Sequence, residues 1–160
     1  GALAFQRTDV ATYNLFYAVD DPGGFTTLYQ ANPSTGASGQ DRLNSQGNDS
    51  GNTFTVLGDI TGVGQITGMS FRGVNAPTNL QSQLFAVTDT NQFVTINQSG
   101  GTRRDVTSFT SIDLSGQIDG TLQGLTAAPQ NLNNGAFRNF LFAITDSGNL
   151  YCIEFSKSPI

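Results

Sequence analysis

The chain contains no histidine and no tryptophan, and its 160 residues include one cysteine, one methionine and one lysine. Without histidine, the usual base that activates a serine or cysteine nucleophile is missing. Zinc sites of the cysteine-histidine kind are excluded for the same reason. The single cysteine, Cys152, excludes an internal disulfide. It lies in an alternating apolar segment, which predicts a small thiol packed within a strand.

Charge is also scarce, since charged residues make up 12% of the chain and the net charge is −5. The few cationic residues form no basic patch, so we expect no nucleic-acid partner. No run of 18 apolar residues is present, and we therefore expect no transmembrane segment. Scarce lysine together with abundant Ser, Thr, Asn and Gln favours an extracellular, cell-surface or periplasmic location.

Turn-forming residues and short apolar runs dominate what is present, a composition typical of all-β proteins with many short strands. The sequence also repeats itself. Residues 66–100 align with residues 122–156 with one single-residue gap, and residues 3–5 match residues 69–71. We predict a single domain over residues 1–160, built from repeats at about 1–59, 66–114 and 122–156. The residues identical between the second and third copies include Leu84/Leu141, Phe85/Phe142, Ala86/Ala143, Thr88/Thr145, Asp89/Asp146 and Ile96/Ile153.

Each repeat is predicted to form a series of short antiparallel strands joined by tight hairpins. Residues 16–19 are aligned with residues 84–87, which places Ala18, Ala86 and Ala143 at one register position where a small residue would let neighbouring sheets approach. The third repeat ends before a fourth strand. The predicted strands are 3–5, 67–71 and 124–127 (first), 15–19, 84–88 and 141–145 (second), 27–31, 93–97 and 150–155 (third), and 53–57 and 106–112 (fourth).

The segments GLTA at residues 124–127 and LFAITDSGNLYCIEF at residues 141–155 carry a family resemblance. They are similar to the repeats of bacterial β-propellers of the NHL, YVTN and quinoprotein-like kind. The resemblance implies a β-propeller-like fold with three blades of antiparallel strands, a partial or open propeller. The chain lacks the tryptophan-bearing blade motif of cofactor-binding quinoproteins, and we expect no cofactor.

Three blades leave two sheet faces open, because propellers usually have four to eight blades. Exposed apolar faces favour association. We therefore predict a protein partner or a homo-oligomer formed through open blade faces. The chain would be a piece of a larger propeller, half of a six-bladed pair, or a unit stacked on other subunits. The loops at 6–13, 72–83 and 128–139 are expected to gather on one side and contact partners.

The function that this pattern favours is a non-enzymatic structural or protein-interaction module, a subunit or fragment of a larger extracytoplasmic assembly. Two alternatives stay open. One is a glycan-binding propeller lectin, and the other is part of a propeller enzyme whose active site lies on blades absent from this sequence. No catalytic residue is predicted.

Four acidic residues near hairpins, Asp20, Asp21, Asp89 and Asp146, are the candidates for a metal site. Carboxylates suit calcium, which prefers oxygen ligands. An Asp at the start of a turn also bonds nearby backbone N–H groups. Because the four residues are spread over three repeats, the turn interpretation is favoured over calcium ligation.

Overall fold

A computed structural model describes residues 1–7, 13–31, 54–71, 83–99, 105–129 and 131–154 of the chain. These residues form β-strands and one short 3-10 segment at Leu132–Gly135, so the predicted all-β class is confirmed. No helix in the described ranges is long and apolar enough to cross a membrane. The strands are β1 (Ala2–Arg7), β2 (Tyr13–Asp20), β3 (Phe25–Ala31), β4 (Phe54–Thr61), β5 (Ile66–Phe71), β6 (Leu84–Thr88), β7 (Gln92–Gln98), β8 (Val106–Asp113), β9 (Leu122–Ala127), β10 (Phe140–Thr145) and β11 (Leu150–Glu154).

The strands form three antiparallel sheets in which sequential neighbours pair. The first sheet has the order β1-β2-β3-β4, the middle sheet β5-β6-β7-β8, and the third sheet β9-β10-β11. The predicted strands agree with the observed ones to within a few residues, and β6 has the predicted bounds. Local hydrophobic patterning and turn chemistry are sufficient for this, because within each sheet a strand pairs with the next one along the chain.

The three sheets stack face to face in chain order, with the middle sheet between the other two. One hydrophobic core lies between the first and middle sheets, and another lies between the middle and third sheets. The first strands are neighbours, because β1 contacts β5 and β5 contacts β9. A side chain on Gly68 of β5 would place its Cβ 2.5 Å from the backbone nitrogen of Leu125 in β9. Glycine therefore permits the close approach of these two strands.

Strand pairing aligns the first and middle sheets differently from the sequence prediction. Phe16 lies opposite Ala4 in the first sheet, and Phe85 lies opposite Ser70 in the middle sheet. Ala4 and Ser70 occupy matching positions in the first strands. Phe16 therefore corresponds to Phe85 and not to Leu84.

The prediction that Ala18, Ala86 and Ala143 share one register is consequently wrong for Ala18. A shift of one residue turns every side chain of a strand to the other face of the sheet. Ala18 packs into the core between the first and middle sheets, and it corresponds to Val87. Tyr17 takes the position of Ala86, on the face of the first sheet that no other described sheet covers. A bulky residue fits there because no neighbouring sheet must approach.

Candidate functional site

The acidic residues of the first hairpin make local bonds. An oxygen of Asp21 accepts a hydrogen bond from the backbone N–H of Gly23 at 2.8 Å. An oxygen of Asp20 accepts one from the hydroxyl of Thr26 at 3.0 Å, and the other bonds the amino group of Gly1, also at 3.0 Å. The turn interpretation of Asp21 agrees with this geometry.

Asp89 and Asp146 each connect a hairpin to the segment that enters the first strand of the same sheet. The carboxylate of Asp89 accepts the N–H of Gln65 at 2.8 Å, and that of Asp146 accepts the N–H of Thr121 at 2.7 Å. Their own N–H groups donate back to the carbonyls of the same two residues, at 3.0 and 2.9 Å. The next residue in each hairpin also bonds this segment through its hydroxyl group. Thr90 donates to the carbonyl of Val63, and Ser147 donates to the carbonyl of Asp119.

Glycine is needed where this contact forms. Gly64 and Gly120 have φ of +83° and +86°, and a Cβ on either would lie within 2.6 Å of the aspartate oxygen. Glycine at these two positions therefore leaves room for the aspartate carboxylates to approach the backbone. Within the described residues, no group of three or more Asp, Glu, Cys or His side chains could hold a metal ion. The four candidate carboxylates are not brought together.

Asn91 has a further role that the sequence did not reveal. Its side-chain oxygen accepts the N–H of Leu122 at 2.9 Å, and its side-chain nitrogen donates to the carbonyl of Gly120 at 2.9 Å. The hairpin of the middle sheet thereby holds the first strand of the third sheet. Thr26 makes the weaker counterpart between the first and middle sheets, where its hydroxyl accepts the N–H of Ile66 at 3.4 Å. Asn91 also has a positive φ of 60°, a backbone conformation that asparagine tolerates.

The middle sheet is covered on both faces, and all five residues of β6 are buried. Three large apolar side chains point toward the third sheet and pack into the core there: Phe85, Val87 and Phe93. They are at most 6% exposed.

The third sheet presents the matching side chains on its outer face. Strand pairing makes Phe142, Ile144 and Leu150 the counterparts of the three covered side chains of the middle sheet. Ile144 is 47% exposed and Leu150 is 69% exposed. Phe137, from the segment that precedes β10, packs against Phe142 with ring centroids 6.2 Å apart. Most of this face nevertheless lies open.

The outer face of the first sheet is apolar as well. Leu3, Tyr17, Tyr29 and Val56 lie opposite one another across all four strands. The two tyrosine rings stack in parallel with centroids 4.8 Å apart. Leu3 and Val56 are exposed, as are Phe5 and Val19 in the adjoining rows. Among the described residues, both ends of the stack therefore carry an exposed apolar surface.

Cys152 also lies on the outer face of the third sheet, opposite Phe142, and it is exposed. The prediction of a packed thiol is wrong because the alternation of β11 turns Tyr151 and Ile153, not Cys152, toward the middle sheet. Partial desolvation of the sulfur, and then the negative charge of Glu154, raise the pKa of this thiol above its ordinary value. The protonated form is favoured at neutral pH, and the sulfur is a poor nucleophile.

A cavity of about 420 Å³ opens where the first strands of the three sheets meet. Its lining includes Gly68, Gly124 and several small or apolar side chains, among them Met69 and Leu125. The hydroxyl of Thr67 donates a hydrogen bond to the carbonyl of Leu122 at 2.7 Å. The arrangement offers space but no converging reactive groups.

The two predicted partner-binding loops at 6–13 and 72–83 lie largely outside the described residues. The third, at 128–139, is described apart from residue 130 and includes an exposed Leu132. The sequence matches no protein-family model and no curated protein.

Proposed function

We propose that this chain is a non-enzymatic structural and protein-interaction module, made of three propeller-like blades in an open arrangement within a larger extracytoplasmic assembly. The uncovered outer faces of the first and third sheets are its contact surfaces. One observation carries the proposal. The third sheet covers one apolar face of the middle sheet. The corresponding face of the third sheet itself carries exposed apolar side chains.

The blade arrangement is supported by the connectivity and by the stacking order. In each sheet the strands are arranged in chain order, beginning with β1, β5 or β9. These three first strands lie side by side. Propellers arrange four-stranded antiparallel sheets around an axis in this way. The glycan-binding and enzyme alternatives stay predictions from the sequence.

Association is favoured because burying apolar surface contributes roughly 25 cal/mol per Å². Large exposed side chains at both ends of the stack can supply such area, and a contact patch of about 800 Å² per partner is typical of stable complexes. The partner that can be tested directly is a second copy of the chain. Its first sheet would pack on the third sheet of the next copy, as the sheets within one chain already do.

Light scattering on the purified chain measures this association. We expect a particle that is a multiple of 16.9 kDa. The double substitution Ile144→Asp with Leu150→Asp is expected to reduce the mass to that of one chain, because it places two charges in the contact. Ser111→Asp, on the exposed edge strand β8, is the matched control and should leave the mass unchanged. A wild-type chain that is stable and monomeric at all accessible concentrations would contradict self-association.

A further inference from the structure

The outer edge of the third sheet differs from the same edge of the other two sheets. In the first sheet β4 pairs with β3, and in the middle sheet β8 pairs with β7. Among the described residues, β11 pairs with β10 alone. An unpaired edge presents a row of backbone N–H and C=O groups, which can accept another strand.

A cavity of about 240 Å³ runs along this edge. Leu114 and Ile118, from the turn between β8 and β9, form one wall, and Tyr151 and Ile153 of β11 form another. Leu114, Ile118 and Ile153 also pack against the core between the middle and third sheets. The cavity is thus an apolar recess that extends this core to the edge of β11.

The middle sheet shows what occupies the equivalent place. There Phe109 of β8 lies opposite Ile96 of β7 and packs against the core between the first and middle sheets. Ile153 is the counterpart of Ile96, because Leu141 lies opposite Ile153 as Leu84 lies opposite Ile96. A strand added to β11 would therefore place the counterpart of Phe109 opposite Ile153, facing the recess.

We propose that β11 takes up, by antiparallel pairing, an extended segment of a partner polypeptide that carries a large apolar side chain opposite Ile153. This side chain fills the recess. The two residues that follow it are small and polar, like Thr110 and Ser111 of β8, which stand opposite the counterparts of Cys152 and Tyr151. Backbone hydrogen bonds along the edge provide affinity, and the recess selects the anchor. This edge site is separate from the sheet faces and does not require that they be covered.

The chain supplies its own probe for this site. A fluorescently labelled peptide of residues 105–114, DVTSFTSIDL, reproduces the strand that completes the middle sheet. We expect it to bind the wild-type chain saturably in an anisotropy titration. The same peptide carrying Phe109→Asp should bind at least about tenfold more weakly, because the anchor loses its apolar burial. No binding, or equal binding of the two peptides, would overturn the proposal.

Cys152 allows the register to be tested independently of affinity. In the proposed pairing it lies opposite the Thr110 position of the peptide. A Thr110→Cys peptide is prepared as a mixed disulfide with thionitrobenzoate, at a pH alkaline enough to ionise Cys152. The Cys152 thiolate attacks the peptide sulfur, an interchain disulfide forms, and the coloured thionitrobenzoate anion leaves.

The matched control is a peptide with Ser111→Cys, which keeps Phe109 and whose sulfur points to the opposite face of the sheet. We expect the Thr110→Cys peptide to release thionitrobenzoate at least about tenfold faster at equal concentration, because pairing holds the two sulfurs together. Equal rates for the two peptides would show that the strand does not pair in this register, and would overturn the assignment of Ile153 as the anchor position.

Discussion

The middle and third sheets carry nearly the same apolar pattern but differ in what covers them. Phe85 of the middle sheet is 3% exposed, whereas its counterpart Phe142 is only partly covered and the neighbouring Leu150 is 69% exposed. A continuous apolar run is typical of a strand buried on both faces. The third sheet has apolar side chains on both faces, but among the described residues only the face toward the middle sheet is covered. The pattern of a strand therefore indicates the faces that it can bury, and the position of the sheet in the stack determines which of them it does bury.

The largest expected effect comes from truncating the matched phenylalanines. Phe85→Ala is expected to cost about 3–5 kcal/mol of unfolding free energy, as is usual for a buried phenylalanine. Phe142→Ala should cost about 1 kcal/mol in the monomeric chain, close to the mean for point substitutions. Urea unfolding measures both values. Equal costs would mean that the outer face of the third sheet is already covered.

A smaller effect is expected from exchanging the hairpin residues that distinguish the two sheets. The side chain of Asn91 bonds the backbone of Gly120 and Leu122 at the start of the third sheet. Gly148 occupies the equivalent position in the hairpin of the third sheet, with φ of +83°. Asn91→Gly keeps the backbone conformation accessible but leaves the N–H of Leu122 without its side-chain acceptor. We expect a loss of about 1–3 kcal/mol in thermal or urea unfolding.

The reverse substitution, Gly148→Asn, is the control for that experiment. Asparagine tolerates a positive φ, and the described residues show no further sheet for it to hold. The change in unfolding free energy should stay within about 0.5 kcal/mol. A loss from Gly148→Asn as large as that from Asn91→Gly would show that the middle hairpin has no special role.

The smallest expected effect is on thiol reactivity, which compares the covered face of the middle sheet with the matching exposed face of the third sheet. In the monomeric chain Cys152 should react readily with Ellman's reagent at alkaline pH, whereas a thiol introduced by Thr95→Cys in a Cys152→Ser background should react more slowly beneath the third sheet. Glu154→Gln removes a negative charge and lowers the pKa of Cys152. We therefore expect a rate increase at fixed pH, whereas Asp59→Asn in the first sheet should leave the rate unchanged.

Much of the fold was predictable because its contacts are local. Hairpins join consecutive strands, so the alternation of apolar residues and the turn signals locate each strand. Asp21 makes the local turn bond that the sequence favoured, whereas the carboxylates of Asp89 and Asp146 bond backbone N–H groups distant in the sequence. The sequence could not show that Asp89 and Asp146 also hold the segment that enters each sheet, because those bonds span 24 and 25 residues.

The candidate contact surfaces were only partly predictable. Open faces follow from the count of repeats, but their composition depends on the register of each strand. The first repeat is the most diverged, and its second strand was aligned one residue away from its true position. That shift exchanged the two faces of β2, so Tyr17 was aligned with Phe85 although it lies opposite Leu3 on the outer face of the first sheet. Cys152 was misassigned because a small apolar residue in an alternating strand fits either face.

The sequence by itself determined the all-β class, the positions of most strands and the hairpins that join them, because short-range pairing depends on neighbouring residues. The tertiary structure alone decided which faces are buried, that Asn91 bonds one sheet to the next, and that a recess lies beside Ile153. These features depend on how whole sheets stack, and burial is a property of what lies across an interface. Phe85 stabilises the core beside the middle sheet, whereas its counterpart Phe142 lies on the outer face of the third sheet.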